Sequence, residues 1–103
     1  MIDMKKFYKV TGLSKTNFSK ASGLCRQVLT AYEKEETDHM LPETVAKIED
    51  SVRKVIGAGV YIFYSNYTKK WYVYWEKCEF GRWATTDKDE AIKKVALVSG
   101  LRR

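Results

Sequence analysis

The sequence predicts an α+β fold, in which an N-terminal helical bundle is followed by a three-stranded antiparallel sheet and a C-terminal helix. Apolar residues recur at helical spacing up to about residue 55. Residues 60–85 are instead rich in aromatic and β-branched side chains, which favour strands. At 103 residues, the chain has the length of one domain or of two very small units that lean on each other. We expect a helical unit at residues 1–57 and a β-β-β-α unit at residues 58–103.

The first two helices are predicted from apolar spacing and from residues typical of helix ends. Residues 2–12 carry a short, partly helical periodicity that ends at Gly12. Ser14 is placed as the N-cap of a second helix over residues 15–22, because a serine oxygen accepts a hydrogen bond from the first turn. Gly23 ends that helix, since glycine readily adopts the left-handed conformation that often follows a last turn.

The third predicted helix, over residues 25–34, is amphipathic. Its apolar stripe consists of Leu24, Val28, Leu29 and Tyr32, and its opposite face consists of Arg26, Gln27, Thr30, Ala31 and Lys34. After a polar connection, a fourth helix is predicted over about residues 43–55, because Pro42 suits a first helical turn. We expect this helix to bury Val45, Ile48, Val52 and Val55.

The second half of the chain is predicted to form three strands and a helix. Residues 60–67 and 70–77 have the composition of strands, and the asparagine and lysines between them favour a hairpin. A third strand is expected at about residues 80–85. Asp87, with Glu90 three positions later, is close to a capping box that opens the last helix. That helix is expected to bury Ala91, Ile92, Val95 and Ala96.

The most informative pattern in the chain is LSKTNFSKASGLCRQVLTAYEKEE, residues 13–36. Its defining positions hold Leu13, Ser14, Lys15, Thr16, Asn17, Phe18, Ser19, Ser22, Gly23 and Leu24. Over about residues 1–55, the chain resembles the helix-turn-helix of the phage-repressor-like (XRE/Cro-type) DNA-binding family. Cys25, Glu35 and Ser22 depart from the pattern, because the family more often has serine or threonine, glycine, and an apolar residue at these three positions.

The resemblance implies a role for each helix of the pair. In this kind of docking, the first residues of the second helix reach base edges in the major groove, and the start of the first helix meets the DNA backbone. Base contacts are therefore expected from Arg26, Gln27, Thr30 and Ala31, and phosphate contacts are expected from Lys15, Thr16 and Lys34. The charge distribution agrees, because residues 5–34 contain seven basic residues and one acidic residue.

The predicted sheet carries more aromatic side chains than one covered face requires. Ten of the fourteen aromatic residues lie between Tyr61 and Trp83. Alternation divides the strand residues into two faces, one with Tyr61, Phe63, Tyr72 and Tyr74, and the other with Val60, Ile62, Tyr64, Trp71, Val73 and Trp75. One face covers the last helix, and the other meets the helical half, a second copy or a foreign protein. We expect the face with Tyr61 to be a dimer or partner surface.

Residues 70–95, with the sequence KWYVYWEKCEFGRWATTDKDEAIKKV, also look like small β-β-β-α modules such as the AP2-like domains of recombinases and plant regulators. Some modules of this kind bind DNA through the sheet. The resemblance implies secondary contacts to DNA from Lys69, Lys70, Lys77 and Arg82.

Sequence features of other functional classes are missing. No nucleotide-binding glycine loop, metal-ligand cluster or Ser/His/Asp arrangement occurs, so we expect neither an enzyme nor a cofactor. Cys25 and Cys78 form no CxxC pair and are expected to be reduced structural thiols, and His39 is expected in a loop. Since the sequence has neither a long apolar run nor a secretory leader pattern, we expect a cytoplasmic protein.

The sequence therefore predicts a sequence-specific double-stranded DNA-binding protein. We expect a transcriptional repressor of a phage, plasmid or other mobile element, which binds a palindromic operator as a homodimer. An accessory factor that recognises an origin or recombination site is a related alternative. A further alternative is a protein-binding inhibitor or adaptor with an anti-CRISPR-like, two-part architecture. In that case the aromatic sheet binds a partner protein, and the helix-turn-helix regulates the gene that encodes the chain.

Overall fold

A computed structural model of the chain describes residues 1–36, 38, 40–76 and 82–101. Its helices are α1 (Met4–Thr11), α2 (Lys15–Ser22), α3 (Arg26–Glu33), α4 (Pro42–Gly57) and α5 (Lys88–Ser99). Its strands are β1 (Tyr61–Ser65), β2 (Lys70–Tyr74) and β3 (Trp83–Thr85). The predicted α+β class and the predicted order of elements are confirmed. None of the described helices combines the length and the apolar character that crossing a membrane would require.

The sheet is antiparallel, with the strand order β1-β2-β3. Tyr61 pairs with Tyr74, and Phe63 pairs with Tyr72. Because directly paired residues share a face, the predicted grouping of Tyr61, Phe63, Tyr72 and Tyr74 on one face is confirmed, and we call this face the outer face. The inner face includes Ile62, Tyr64, Trp71 and Val73. Of the predicted third strand, residues 80 and 81 lie outside the described part of the chain.

One continuous hydrophobic core joins the helices to the sheet. Helix α5 packs against β2 and β3 on one side and against α2 and α4 on the other. Its four predicted core residues are buried, as are Ile48, Val52 and Val55 of α4. Val45 was expected to be buried but is only half-buried, because it lies in the first turn of α4 at the edge of the core. The predicted boundary between residues 57 and 58 falls at the end of α4, and the core crosses it.

The inner face of the sheet is covered by α5. The ammonium of Lys94 lies 5.1 Å from the centroid of the Trp75 ring and 5.5 Å from that of Trp83. The ammonium of Lys88 lies 5.8 Å from the centroid of the Trp71 ring. The apolar side chains of α5 are therefore buried in the core, while two of its lysine side chains lie over the aromatic rings of the inner face.

Asp87 caps α5, but the predicted capping box is not formed. The Asp87 carboxylate accepts a hydrogen bond from the N–H of Asp89 at 2.9 Å. Glu90 accepts a bond from the Thr85 hydroxyl at 2.8 Å, whereas a capping box would have it accept from the N–H of Asp87. The Thr85 oxygen takes that place and accepts from the Asp87 N–H at 3.2 Å.

Helix α1 meets strand β1 at Gly12. This glycine has φ 77°, and its N–H donates to the carbonyl of Tyr8 at the end of α1. A Cβ atom at this position would lie 1.8 Å from the carbonyl oxygen of Ile62 in β1. Gly12 is thus required both by the left-handed backbone and by the close approach of the helical half to the sheet.

Candidate nucleic-acid interface

The angle between α2 and α3 is fixed by a turn that is bonded and packed. Gly23 has φ 78°, and its N–H donates to the carbonyl of Ser19 at 2.9 Å. The Ser19 hydroxyl donates to the carbonyl of Leu24, which ties α2 to the residues just before α3. The side chains of Phe18, Leu24 and Leu29 are all buried beneath this turn. The small Ser19, the left-handed Gly23 and these apolar side chains therefore hold α2 and α3 at one angle.

Arg26 and Gln27 lie at the start of α3 and are exposed. Within the part of the chain that the structure describes, neither side chain makes a hydrogen bond or an ion pair. Both line one shallow concavity, together with Thr30, Ala31 and Glu36. The structure thus brings the four residues that were predicted to contact bases onto a single surface.

Lys15 and Thr30 already have partners within the protein. The Thr30 hydroxyl donates to the carbonyl of Arg26 at 2.9 Å and accepts from the Lys15 ammonium at 3.1 Å. The same ammonium lies 2.7 Å from the carboxylate of Glu33. Lys15 therefore links the first turn of α2 to the last turn of α3. A phosphate group at this position would have to share that ammonium with Glu33 or displace it.

The two remaining predicted phosphate contacts lie at opposite ends of the helix pair. Thr16 is half-buried in the first turn of α2, whereas Lys34 is exposed immediately after α3. Among the described residues, Lys34 has no ion-pair partner. Its ammonium is thus open to an anionic ligand, while Thr16 offers only a partly accessible side chain.

Of the three departures from the family pattern, Cys25 and Glu35 lie at the two ends of α3, and Ser22 is the last residue of α2, where its hydroxyl donates to the carbonyl of Phe18 at 2.7 Å. Cys25 is an exposed free thiol at the N-cap position and makes no capping bond with its side chain. The N–H groups of the first turn are therefore not satisfied by that side chain. Glu35 has φ 61°, and the N–H of Glu36 donates to the carbonyl of Ala31 at 2.9 Å. This is the left-handed helix end at which glycine is favoured, so the backbone keeps the family's geometry with a different residue.

The sequence prediction missed Glu36. This residue follows α3 in sequence, yet the left-handed backbone at Glu35 turns the chain back, and Glu36 lines the same concavity as Arg26 and Gln27. A carboxylate at this place repels phosphate but accepts a hydrogen bond from the amino group of cytosine. The signal available in the sequence was the position of Glu35, where the family often has glycine.

Two tyrosines lie behind α3, and the hydrogen bonds of Tyr32 join α3 to α4 and to the residues before α1, whereas the buried Tyr8 hydroxyl has no hydrogen-bond partner among the described residues. The Tyr32 hydroxyl donates to the Glu49 carboxylate at 2.7 Å and accepts from the N–H of Ile2 at 2.9 Å. Burial raises the pKa of the Tyr8 phenol well above its ordinary value, and the nearby carboxylate of Glu33 raises it further. Burial is also the main reason why the pKa of Tyr32 is raised. Both phenols are therefore held in their neutral form behind the exposed face of α3.

The outer face of the sheet is the second predicted surface, and the helical half does not cover it. Tyr61 and Phe63 are 47% and 40% exposed. The Phe63 ring stacks on those of Tyr72 and Tyr74, with centroid distances of 5.2 Å and 5.6 Å. The guanidinium of Arg82 lies 4.7 Å from the centroid of the Tyr72 ring and donates to the Tyr74 hydroxyl at 3.3 Å. The chain's own helical half is therefore excluded as the partner of this face, and a second copy or a foreign protein remains.

The predicted secondary DNA contacts are distributed around this outer face. Lys69, at the hairpin turn with φ 59°, and Lys70, at the start of β2, are both exposed. Arg82 is exposed just before β3. Lys77 and Cys78 lie outside the described residues, as does His39.

No protein-family model, curated protein or solved structure matches the chain. The XRE/Cro-type resemblance therefore stays a prediction, based on residues 13–36.

Proposed function

We propose that this chain is a sequence-specific double-stranded DNA-binding protein that inserts the exposed face of α3 into the major groove. The observation that carries the proposal is the exposure of Arg26 and Gln27, side by side at the start of a helix whose angle to α2 is fixed by buried side chains. Neither side chain is engaged within the described part of the protein. A single helix presented in this way fits a groove about 12 Å wide.

The side chains on this surface suit direct contacts to bases. Arginine pairs with the two acceptors of guanine, and glutamine pairs with the acceptor and donor of adenine, each for about 1–3 kcal/mol of discrimination. Ala31, one turn further along α3, offers a methyl group to a thymine methyl. Glu36 supplies an acceptor for a cytosine amino group. The proposed base-contacting surface therefore offers the paired N–H donors of a guanidinium, an amide, a methyl group and a carboxylate.

Contacts to the DNA backbone would orient α3 in the groove. Lys34 is the exposed cation at its C-terminal end, and at its N-terminal end the N–H groups that the Cys25 side chain does not cap would face a DNA phosphate. Lys15 contributes once its ammonium is shared between Glu33 and a phosphate. Because each phosphate contact releases counterions from the DNA, the affinity of the protein for DNA should fall steeply as the salt concentration rises.

One α3 helix makes few contacts, so we propose that two copies bind a palindromic site with half-sites about 10 bp apart. Occupation of a promoter in this way would repress transcription, which fits a regulator of a phage, plasmid or other mobile element. The same binding at an origin or recombination site would serve an accessory factor. The position of the selected site relative to promoters distinguishes these two roles.

The experiment is selection of bound duplexes from a random DNA pool in moderate salt. It compares the wild type with an Arg26→Ala, Gln27→Ala double variant and with Arg53→Ala, a control that also removes one exposed positive charge, on α4. The wild type and the control should enrich the same motif. The double variant should lose that motif and keep salt-sensitive nonspecific binding. Absence of any motif with the wild type would refute the proposal, and a motif that survives in the double variant would exclude α3 as the reader.

A further inference from the structure

The outer face of the sheet, which we call the aromatic face, consists of Tyr61, Phe63, Tyr72 and Tyr74. Its rings are already ordered, because the Phe63 ring lies within 19° and 23° of parallel to the two tyrosine rings of β2. Tyr61 and Phe63 keep 47% and 40% of their surface exposed. Tyr74 is half-buried, and Tyr72 is only 8% exposed because Phe63 and Arg82 lie against its ring. The two exposed rings, Tyr61 and Phe63, therefore form the surface on which a further planar group can stack, and the contacts of Phe63 lower the side-chain entropy lost there.

Positive charge accompanies these rings. Arg82 is exposed and lies over Tyr72. Lys70 precedes Tyr72 by two residues on β2, so its side chain leaves the sheet on the same face. The described strands, residues 61–65, 70–74 and 83–85, contain no aspartate or glutamate. The aromatic face thus combines π surface with the two cations Lys70 and Arg82, while the nearest described carboxylate along β2, Glu76, lies beyond the end of the strand beside Gly59. Exposed rings with positive charge beside them complement a polyanion that carries flat bases.

A second copy of the chain is a poorer occupant of this face. Three strands of up to five residues form a small face of roughly 14 Å by 17 Å. A stable dimer interface, which buries about 800 Å² of accessible surface per partner, would have to extend well beyond these four rings. Two aromatic faces in contact would also confront the cations Lys70 and Arg82 of both copies, with no carboxylate on the described strands to pair with them.

A single strand of DNA offers both the flat groups and the negative charge that complement this face. In a duplex the bases stack on one another and offer only their edges in the grooves, whereas a single strand exposes the planes of its bases. We choose DNA rather than RNA because this inference rests, for the identity of the strand, on the proposed function, which places the chain on DNA. We propose that the aromatic face binds single-stranded DNA, with about one or two bases on Tyr61 and Phe63 and the phosphates beside Lys70 and Arg82.

This site goes beyond the proposed reading of duplex DNA and uses no residue of α3. The test measures the fluorescence anisotropy of a labelled twelve-nucleotide oligo(dT) with the full chain and two variants. Phe63→Ala and Tyr64→Ala are a matched pair, because the two neighbours are 40% and 42% exposed but lie on opposite faces of β1. Phe63→Ala should weaken binding by roughly 5- to 150-fold, and Tyr64→Ala should not. If Phe63→Ala fails to fold, Tyr61→Ala at the start of β1 takes its place and should weaken binding in the same range.

Photo-crosslinking of a bromodeoxyuridine-substituted strand locates the contact. We expect crosslinked peptides from β1 and β2, and binding to oligo(rU) that is no stronger than binding to oligo(dT). The Arg26→Ala, Gln27→Ala variant should retain its affinity for oligo(dT), so that failure of the α3 proposal is distinguishable from failure of this one. Equal losses for Phe63→Ala and Tyr64→Ala, crosslinks confined to α3, or a preference for oligo(rU) would overturn the proposal. A solution dimer that Phe63→Ala dissociates, with no binding of oligo(dT), would assign the face to a second copy.

Discussion

Replacing Gly12 with alanine is expected to destabilise the protein more than the same replacement at Gly23, although the two backbones are nearly identical. Their φ angles are 77° and 78°, and an L-residue in the left-handed conformation costs about 1–2 kcal/mol. A Cβ atom at Gly23 meets nothing within 4 Å, so the backbone strain is the whole effect there. A Cβ atom at Gly12 would lie 1.8 Å from the carbonyl oxygen of Ile62, a backbone atom that cannot rotate away.

The additional cost at Gly12 is set by the distance that α1 and β1 must separate. Ordinary contact begins near 3.4 Å, so the shift is 3.4 minus 1.8, or about 1.6 Å. Forcing extra volume into a packed interior costs about 1–3 kcal/mol. Together with the backbone strain, Gly12→Ala should lower the free energy of unfolding by about 2–5 kcal/mol, a large part of the 5–15 kcal/mol typical of a domain.

Urea unfolding of the two variants measures the difference. With a slope near 1.5 kcal/mol per molar, the midpoint should fall by roughly 0.7–1.3 M for Gly23→Ala and by roughly 1.3–3.3 M for Gly12→Ala. Tryptophan fluorescence reports on the sheet, which holds Trp71 and Trp83, and circular dichroism reports on the helices. Equal midpoints for the two variants would refute the close approach of α1 to β1.

Three further results are expected. Phe18→Ala, which removes a fully buried ring, should lower the free energy of unfolding by about 3–5 kcal/mol in the same assay, and a loss under about 1 kcal/mol would contradict its burial. Because the pKa of Tyr8 is raised in the folded state, its contribution is complete below about pH 10 and declines above it. Urea unfolding between pH 9 and 11 should show Tyr8→Phe losing less stability than the wild type, by at most about 1.4 kcal/mol per pH unit, and identical slopes would show that the phenol is not held neutral. Lys34→Ala should weaken binding to all duplexes alike and reduce the slope of log affinity against log salt by about 1, whereas a loss confined to certain sequences would mean that Lys34 contacts bases.

The parts of the fold that depend on local signals could be predicted from the sequence. Ser14 accepts a bond from the N–H of Asn17 at 3.1 Å, and Gly23 has the left-handed conformation, so both ends of α2 were predictable from residue type. Strand alternation likewise predicted which aromatic residues share a face. The position of α5 between α2 and the sheet was not predictable, because apolar spacing shows which side chains are buried and not which element buries them.

In the candidate site too, features that depend on one helix could be predicted from the sequence, whereas contacts between elements could not. Exposure of Arg26 and Gln27 followed from their position opposite the apolar stripe of α3. The ion pair of Lys15 with Glu33 joins residues on two helices, and its formation depends on the angle between them, so spacing did not indicate it. The contact of Arg82 with Tyr72 depends on how β3 approaches β2, which alternation along one strand does not specify.

The measurement that tests the central claim most directly is the affinity of the wild type and of Arg26→Ala for the selected duplex and for each of its single-base-pair variants. Wild-type protein should discriminate one guanine position by about 1–3 kcal/mol, and Arg26→Ala should lose discrimination at that position and retain it at the others. A uniform loss at all positions would place Arg26 on a phosphate. Unchanged discrimination at every position would contradict the assignment of α3 as the helix that reads the sequence.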